Sequence, residues 1–334
     1  MKLRGQVKFI LIAFLILVSC RDEDNFQPQK EYLKSWTDGE TKNAIIKFVE
    51  AVTDESSADF VAPEERIATF DNDGTLWAEQ PVYIQVKFAM DRVKELSETD
   101  KSFRQKQPFK AIVENDREYL SKLGSHDLLK AFAVTHANMS NAEFHKSAQA
   151  WLDTAKHPRF NRLYTGMVYQ PMLELLEYLR DNKFKTFICS GGGVEFIRVF
   201  SEKVYGVPLE NVIGTSYKNK FVNNDNKISL IRTQEINSFN DKQEKPLNIQ
   251  LHIGRKPLIA VGNSDGDQQM LEFSADRNGP SLQVLLHHDD EKREWAYDRE
   301  SKIGHLDKAL DEASARNWIV ISMKNDWRLI FNTK

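Results

Sequence analysis

The sequence predicts an α/β protein: a parallel sheet flanked by helices and interrupted by one long helical insertion. Three observations carry the prediction. Short apolar runs ending at Phe70, Cys189, Val261 and Leu286 are interleaved with helix-like segments, the pattern of a parallel sheet with crossovers. The first three of these runs stop abruptly in polar or glycine-rich turns, as strand ends that bear ligands do in open α/β sheets. Residues 77–162, between the first and second runs, hold few glycines, many Lys, Glu, Gln, Ala and Leu, and no clear strand, so they read as a helical insertion.

The N-terminus comes first in order and is a different material. Lys2, Arg4 and Lys8 precede an apolar run from Phe9 to Val18, too short to span a bilayer and flanked as a secretory signal is. It closes in Leu17-Val18-Ser19-Cys20, which resembles the box of bacterial lipoprotein signals, in which the Cys becomes the acylated N-terminus. That resemblance implies a signal peptide over 1–20, lipidation at Cys20 and export. The chain would then be anchored to the cell envelope, at the outer membrane or the periplasmic face, with several acyl chains giving a stable hold. The polar stretch 21–36, acidic at its start, reads as a flexible tether.

Thr37-Asp38, then Glu40 and the spacing of Ile45, Ile46, Phe48, Val49 and Val52, predict a capped amphipathic helix. A strand comes next, ending at Phe70. Helix-like spacing recurs over 82–96, 109–123, 125–139 and 140–155. After the insertion come a helix over 171–180 with Pro near its first turn, a strand over 184–189 and a helix over 194–204. A polar hairpin-like stretch occupies 214–235, then a helix 245–252 and strands 257–261 and 281–286. Residues 37–76 and 163–334 therefore form the core and 77–162 the insertion.

Composition narrows the class. The 334 residues are 41% hydrophobic and 28% charged, with a net charge of -3, ordinary globular values. Lys and Arg are scattered, with no stripe that would track a phosphate backbone, so nucleic acid is not an expected partner. No obligate protein partner is evident. Besides Cys20 the chain has Cys189 alone, so the mature protein is expected to lack a disulfide and to rest on core burial.

The chemistry concentrates at strand ends. In Phe70-Asp71-Asn72-Asp73-Gly74-Thr75 two carboxylates stand two residues apart where the chain leaves a strand. If the chain bends there they converge, and they repel unless a cation or a shared proton lies between them. Oxygen ligands at such a turn favour a hard cation such as Mg²⁺. Ser190-Gly191-Gly192-Gly193 delivers a hydroxyl and permissive backbone ahead of a helix, a fit for an anion. Lys245 precedes an apolar helix and could neutralise a phosphoryl oxygen, with Lys242 and Lys256 as competitors. Gly262-Asn263-Ser264-Asp265-Gly266-Asp267 is an acid-bearing loop directly after a strand.

In this order, the four segments resemble the haloacid dehalogenase superfamily, with phosphoserine-phosphatase-like members the nearest subgroup. The resemblance implies a Rossmann-like core and makes 77–162 a helical type 1 cap. It also implies a Mg²⁺-dependent phosphatase acting on a small phosphorylated metabolite. Asp71 would attack phosphorus to form an aspartyl phosphate. Asp73 would protonate the leaving alkoxide and touch Mg²⁺ through its backbone carbonyl. Ser190, a Gly191 or Gly192 amide and Thr75 would hold the phosphoryl oxygens, and Lys245 would balance charge. An acid at 73 also favours phosphate esters over halides, because an alkoxide needs a proton to leave and a halide does not.

One departure stands at Asn263, where the superfamily usually has a metal-binding Asp. Either Asn263 ligates directly with Asp267 behind it through water, or Asp265 takes over; the first keeps the spacing after the strand. Glu79 and Gln80 follow the first motif and could face substrate from the cap entrance or be plain polar residues at a helix start. His287-His288 could border the cleft or be a plain strand end. Two other functions would use the same pocket: phosphoryl transfer to an acceptor other than water, and non-catalytic binding of phosphate esters by a surface lipoprotein.

Overall fold

Pairing around one short, fully buried strand organises the molecule. The computed structural model describes residues 30–124, 133–224 and 227–332. The expected signal peptide, Cys20 and most of the tether lie outside these residues. The chain divides into Met1–Glu31 and Tyr32–Lys334, and every described strand and helix belongs to the second unit.

Among the described residues eight strands form one sheet: β1 (Ile67–Phe70), β2 (Lys185–Gly193), β3 (Val212–Asn224), β4 (Lys227–Ser238), β5 (Ile259–Gly262), β6 (Leu282–Asp289), β7 (Ala296–Tyr297) and β8 (Ile319–Ser322). Their order is β4-β3-β2-β1-β5-β6-β7, with β8 also paired to β6. Pairing is parallel from β3 through β2, β1, β5 and β6 to β8; β4 and β7 run antiparallel to their neighbours. All four residues of β1 are buried, as a strand covered on both faces requires. Register sets the site: Phe70, the last residue of β1, lies opposite Ile188 of β2 and Val261 of β5. Asp71, Ser190 and Asn263 follow within two residues of these partners and are brought together by that alignment.

Helices α1 (Glu40–Thr53), α2 (Ile84–Thr99), α3 (Phe109–Glu114), α4 (Arg117–Leu120), α5 (Asn141–Leu152) and α6 (Gln170–Asp181) precede β2. After it come α7 (Val194–Arg198), α8 (Ser201–Tyr205), α9 (Glu244–His252), α10 (Gln268–Ala275), α11 (Lys308–Arg316) and α12 (Met323–Asp326). The helix α6 buries Met172, Leu175, Leu176 and Leu179, and α1 buries Ile45, Val49 and Val52, within one hydrophobic core.

Several expectations need correction. The residues 32–36, expected in the tether, are docked: Leu33 and Trp36 are buried, and the Trp36 indole donates to the Pro171 carbonyl at 2.9 Å. Backbone bonds from Thr37 to Asp326 and from Arg328 to Ser35 hold this segment to the C-terminal residues. The N-cap of α1 is Gly39, without a side-chain cap, and Asp38 reaches forward to Lys42 instead. The helix expected over 109–123 breaks at Asn115, which adopts a left-handed φ of 56°, and Asp116 restarts it by capping Tyr119. The one over 125–139 falls largely outside the described residues. The one over 194–204 is two short helices, α7 and α8. The strand expected to stop at Cys189 runs on to Gly193, with a register shift against β3 between Ser190 and Gly193 that bulges the intervening glycines outward. The strand β8 has no clear signal in the sequence; its Ile-Val-Ile-Ser run is too short to declare a period.

The insertion packs on the segment that follows β2. Its α2 stacks Phe88 on Phe196 of α7, with centroids 5.4 Å apart. The β3–β4 hairpin joins it. Asn138 donates to the Arg232 carbonyl, Arg232 donates to the Met139 carbonyl, and Ser140 bridges Ile231.

Candidate active site

The turn after β1 is built around its own backbone. The Asp71 amide continues the ladder by donating to Val261 at 2.9 Å. The Asn72 carbonyl then accepts from the amides of Thr75, Leu76 and Trp77, which closes a tight loop. Gly74 sits at φ 76°, and a Cβ there would lie 2.1 Å from Asn263 Nδ2 and 2.3 Å from Glu79 Oε1, so the position requires glycine. The Asn72 side chain accepts from the Tyr205 hydroxyl at 3.0 Å, and buried His288 donates through Nε2 to the Gly74 carbonyl at 2.7 Å. His288 is therefore a strut under the loop, not a cleft residue, while His287 faces Asp298 at 3.3 Å.

Lys245 is the cation at the centre. Fully buried on α9, its ammonium donates to Asp71 Oδ1 at 2.7 Å and to Asp267 Oδ1 at 2.5 Å. Burial works against its charge, but Asp267 and Asp71 outweigh that and hold its pKa well above the usual lysine value. Of the competing lysines, Lys256 pairs with Asp276 at the surface, and Lys242 forms the left-handed turn that leads into α9.

The second oxygen of Asp267 is fully used, accepting from the Asn263 amide, the Ser264 amide and the Ser264 hydroxyl at 3.0 to 3.1 Å. Asp265 turns away: its Oδ1 accepts from the amides of Asp307 and Ala309 at the start of α11. That leaves Asn263 facing the turn after β1. Its Oδ1 accepts from the Thr75 hydroxyl at 3.0 Å, and its Nδ2 donates to Glu79 Oε1 at 2.8 Å.

Two expected roles change here. Thr75 is fully buried and spends its hydroxyl on Asn263, so it positions that amide rather than holding a phosphoryl oxygen. Glu79 is not at a cap entrance. It is buried and accepts from the Asn263 amide and from the Tyr297 hydroxyl, each at 2.8 Å.

On the other side of Asp71, Ser190 is buried and its hydroxyl accepts from the Gly192 amide at 3.0 Å. A Cβ placed on Gly192 would lie 3.2 Å from Ser190 Oγ and 3.4 Å from both Asp73 Oδ2 and Gln85 Oε1, so three side-chain oxygens converge on this glycine. Asp73 is held by the Trp77 indole, which donates to its Oδ1 at 2.8 Å. Sequence reasoning missed two supports. Gln85 at the start of α2 accepts from the Gly193 amide at 2.6 Å. Asn240 donates to the Ser190 carbonyl at 2.9 Å and is itself held by Asn248. Nothing in their spacing marked either residue, since both act across the fold.

The electrostatics are lopsided. Burial, then repulsion from Asp267, raise the pKa of Asp71 to about 8 against the pull of Lys245. Burial also raises Asp73, and it lifts Glu79 well above the usual carboxylate range, with the Asp73 and Asp71 charges adding to it. Around Asp71, then, the carboxylates Asp71, Asp73, Glu79 and Asp267 face one ammonium, Lys245. Among the described residues no three His, Cys, Asp or Glu side chains form a ready metal cage. The donors present at the strand ends are hard oxygens with unbalanced negative charge, and this set fits a hard divalent cation.

A profile of the haloacid dehalogenase-like hydrolases matches residues 68–272, which span all four of these segments. No curated protein matches the chain. A conserved protein of unknown function from Anaerococcus prevotii shares 15% identity at a TM-score of 0.54, over 88% of this chain and 94% of its own. A protein of unknown function from Bordetella pertussis Tohama I shares 15% identity at a TM-score of 0.48, over 78% and 99%. A phosphoserine phosphohydrolase-like protein from Francisella tularensis shares 17% at a TM-score of 0.40, over 75% and 99%.

Proposed function

The chain belongs to the haloacid dehalogenase-like hydrolases, and from that premise we propose that it is a Mg²⁺-dependent phosphomonoesterase working through an aspartyl phosphate. The observation that carries this reading is the Asp71–Lys245–Asp267 bridge beside Asp73 at the end of β1.

Lys245 on Oδ1 orients the Asp71 carboxylate and leaves Oδ2 as the attacking oxygen. A bond forms between that oxygen and phosphorus while the ester P–O bond breaks, as carboxylate nucleophiles act elsewhere. The proton that Asp73 holds passes to the leaving alkoxide. Water then attacks the acyl phosphate, Asp73 takes a proton from it, and phosphate departs with Asp71 restored. The Ser190 hydroxyl and the Gly191 amide would hold the phosphoryl oxygens; the Gly192 amide, the other expected candidate, is spent on Ser190 Oγ and the Gly193 amide on Gln85. The residues that would hold Mg²⁺ are Asp71, the Asp73 backbone carbonyl and Asn263, with Asp267 behind them. When bound, the ion supplies charge neutralisation for nucleophile and phosphoryl oxygen.

The same proposal makes 77–162 the cap that closes over a small phosphorylated metabolite, and makes Cys20 a lipid anchor in the cell envelope. The support for the anchor is the basic and apolar run before Ser19-Cys20.

The test is turnover of p-nitrophenyl phosphate with Mg²⁺ by the purified chain and by Asp71→Asn. Loss of phosphate release in the variant is expected; retained release overturns the mechanism. Phosphoryl transfer to added alcohols in preference to water would identify a transferase instead. For the anchor, incorporation of labelled palmitate should vanish in Cys20→Ala.

A further inference from the structure

Glu79 is a buried carboxylate without a cation of its own. It is 2% exposed, and among the described residues no basic side chain pairs with it. The charges of Asp73, Asp71 and Glu294 that act on it are all of its own sign. The Lys245 ammonium is committed to Asp71 and Asp267. A carboxylate taken out of water in this way is costly unless a cation or a proton comes to it.

Its setting is a built one. The two hydrogen bonds it accepts, from Asn263 Nδ2 and from the Tyr297 hydroxyl, are each 2.8 Å long and both end on Oε1. Among the described residues Oε2 accepts from no donor. The Tyr297 ring is fixed by stacking on His288, with centroids 4.4 Å apart, and His288 also holds the Gly74 carbonyl. Gly74 and Gly304, from distant loops, clear the space, since a Cβ on either would collide with Oε1. Gly74 directly follows the Asp73 carbonyl, and a Cβ there would meet Asn263 Nδ2 as well. Glu79 thus adjoins two of the three groups that would hold the cation: Asn263 by a direct bond, and the Asp73 carbonyl by way of Gly74.

Those three groups carry little negative charge. Asp71 shares its carboxylate with Lys245, and the Asp73 carbonyl and Asn263 are neutral. Asp267 is saturated by Lys245 and by the amides and hydroxyl of residues 263 and 264. A Mg²⁺ ion in such a site takes one or two carboxylates besides water and phosphate oxygens. We propose that Glu79 supplies the second carboxylate of the cation site, through the Oε2 that its hydrogen bonds leave unused. The inference rests on the hydrolase reading for the identity of the cation and its other ligands. Asn263 and Tyr297 are then positioning residues for Glu79, holding it by Oε1.

Glu79→Gln separates charge from position, because an amide oxygen can still accept from Asn263 and Tyr297. In the full chain without substrate, calorimetric titration with Mg²⁺ should show about 30-fold weaker binding in this variant. Its melting temperature in EDTA should be no lower than that of the unmodified protein, since an unpaired charge has left the interior. Glu79→Gln/Asn263→Asp exchanges the amide and the carboxylate and keeps a hydrogen bond between them, so it should recover most of the lost affinity. A Glu79→Gln isotherm equal to that of the unmodified protein overturns the inference. So does a double variant that binds no better than Glu79→Gln, or a Glu79→Gln protein that melts lower in EDTA. If Glu79→Gln weakens Mg²⁺ binding as expected but the unmodified protein releases phosphate from no ester, the hydrolase reading fails and this one stands. If phosphate is released with Mg²⁺ and Glu79→Gln binds the ion as tightly as before, this inference fails and the hydrolase reading stands.

Discussion

Asn263 donates to Glu79 across 2.8 Å, an amide and a buried carboxyl group from positions 184 residues apart. Haloacid dehalogenase-like proteins usually have an acid at the first of these places. Here an amide stands there, and the carboxyl group it meets is Glu79, buried in the turn after β1.

Asn263→Asp would set a second carboxylate against Glu79 in a buried place. Like charges at that spacing repel unless a cation or proton intervenes. The variant should melt at a lower temperature in EDTA and bind Mg²⁺ about tenfold more tightly, equivalent to ~1.4 kcal/mol. Calorimetric titration and thermal melts check this. A Mg²⁺ isotherm identical to that of the unmodified protein would remove Asn263 from the metal-facing set.

Asp73→Asn separates leaving groups. An alkoxide needs a proton as it departs, whereas p-nitrophenolate leaves readily without one. Turnover of alkyl phosphates should fall by about 10²–10⁴-fold, the usual worth of a general acid, and that of p-nitrophenyl phosphate much less. The rate plotted against leaving-group pKa should steepen in the variant. An equal loss for both classes would mean that Asp73 is only structural.

The sheet was legible because its parallel strands are short apolar runs that end in residues no core strand would carry, such as Asp71, Ser190 and Asn263. Strand ends also fixed the site, since register alone aligns Phe70, Ile188 and Val261. What was not legible acts between distant segments. Gln85 and Asn240 have no local pattern; they matter because the insertion and the chain after the hairpin fold back on the Ser190 bulge. Glu79 was legible as a polar residue near the motif but not as a buried one, because its burial is set by Gly304 and Tyr297. The break at Asn115 likewise comes from one left-handed residue that helical spacing cannot show.

Lys245→Met removes the one ammonium that Asp71 and Asp267 share. Breaking a buried ion pair by deleting one partner costs about 3–5 kcal/mol, because the remaining charge stays buried. Urea unfolding should show a loss of that size. In Asp71→Asn/Lys245→Met the loss should be smaller than the sum of the single variants, since contacting residues do not act independently. Strict additivity would argue that Lys245 and Asp71 are not coupled in solution.

The charge imbalance makes a prediction about pH and metal together. Burial and the Asp267 charge raise Asp71 to about 8, and burial pushes Asp73 and Glu79 in the same direction. An acid whose pKa is higher folded than unfolded keeps a proton in the native state that the unfolded chain releases. Its stabilising effect is complete below the unfolded value and is lost as pH rises toward the folded one. Without divalent cation, the melting temperature should therefore decline between about pH 5 and pH 8, the window set by Asp71. A bound cation favours the ionised carboxylates and opposes that decline, so the rise in melting temperature on adding Mg²⁺ should be larger at pH 8 than at pH 5. Asp71→Asn should flatten the slope in EDTA, because the amide does not titrate. Melts across this range, with EDTA and with Mg²⁺, decide the matter. If the metal-free protein grew more stable with rising pH, or if Mg²⁺ helped most in acid, the buried carboxylates around Asp71 would not be the groups that call for a cation.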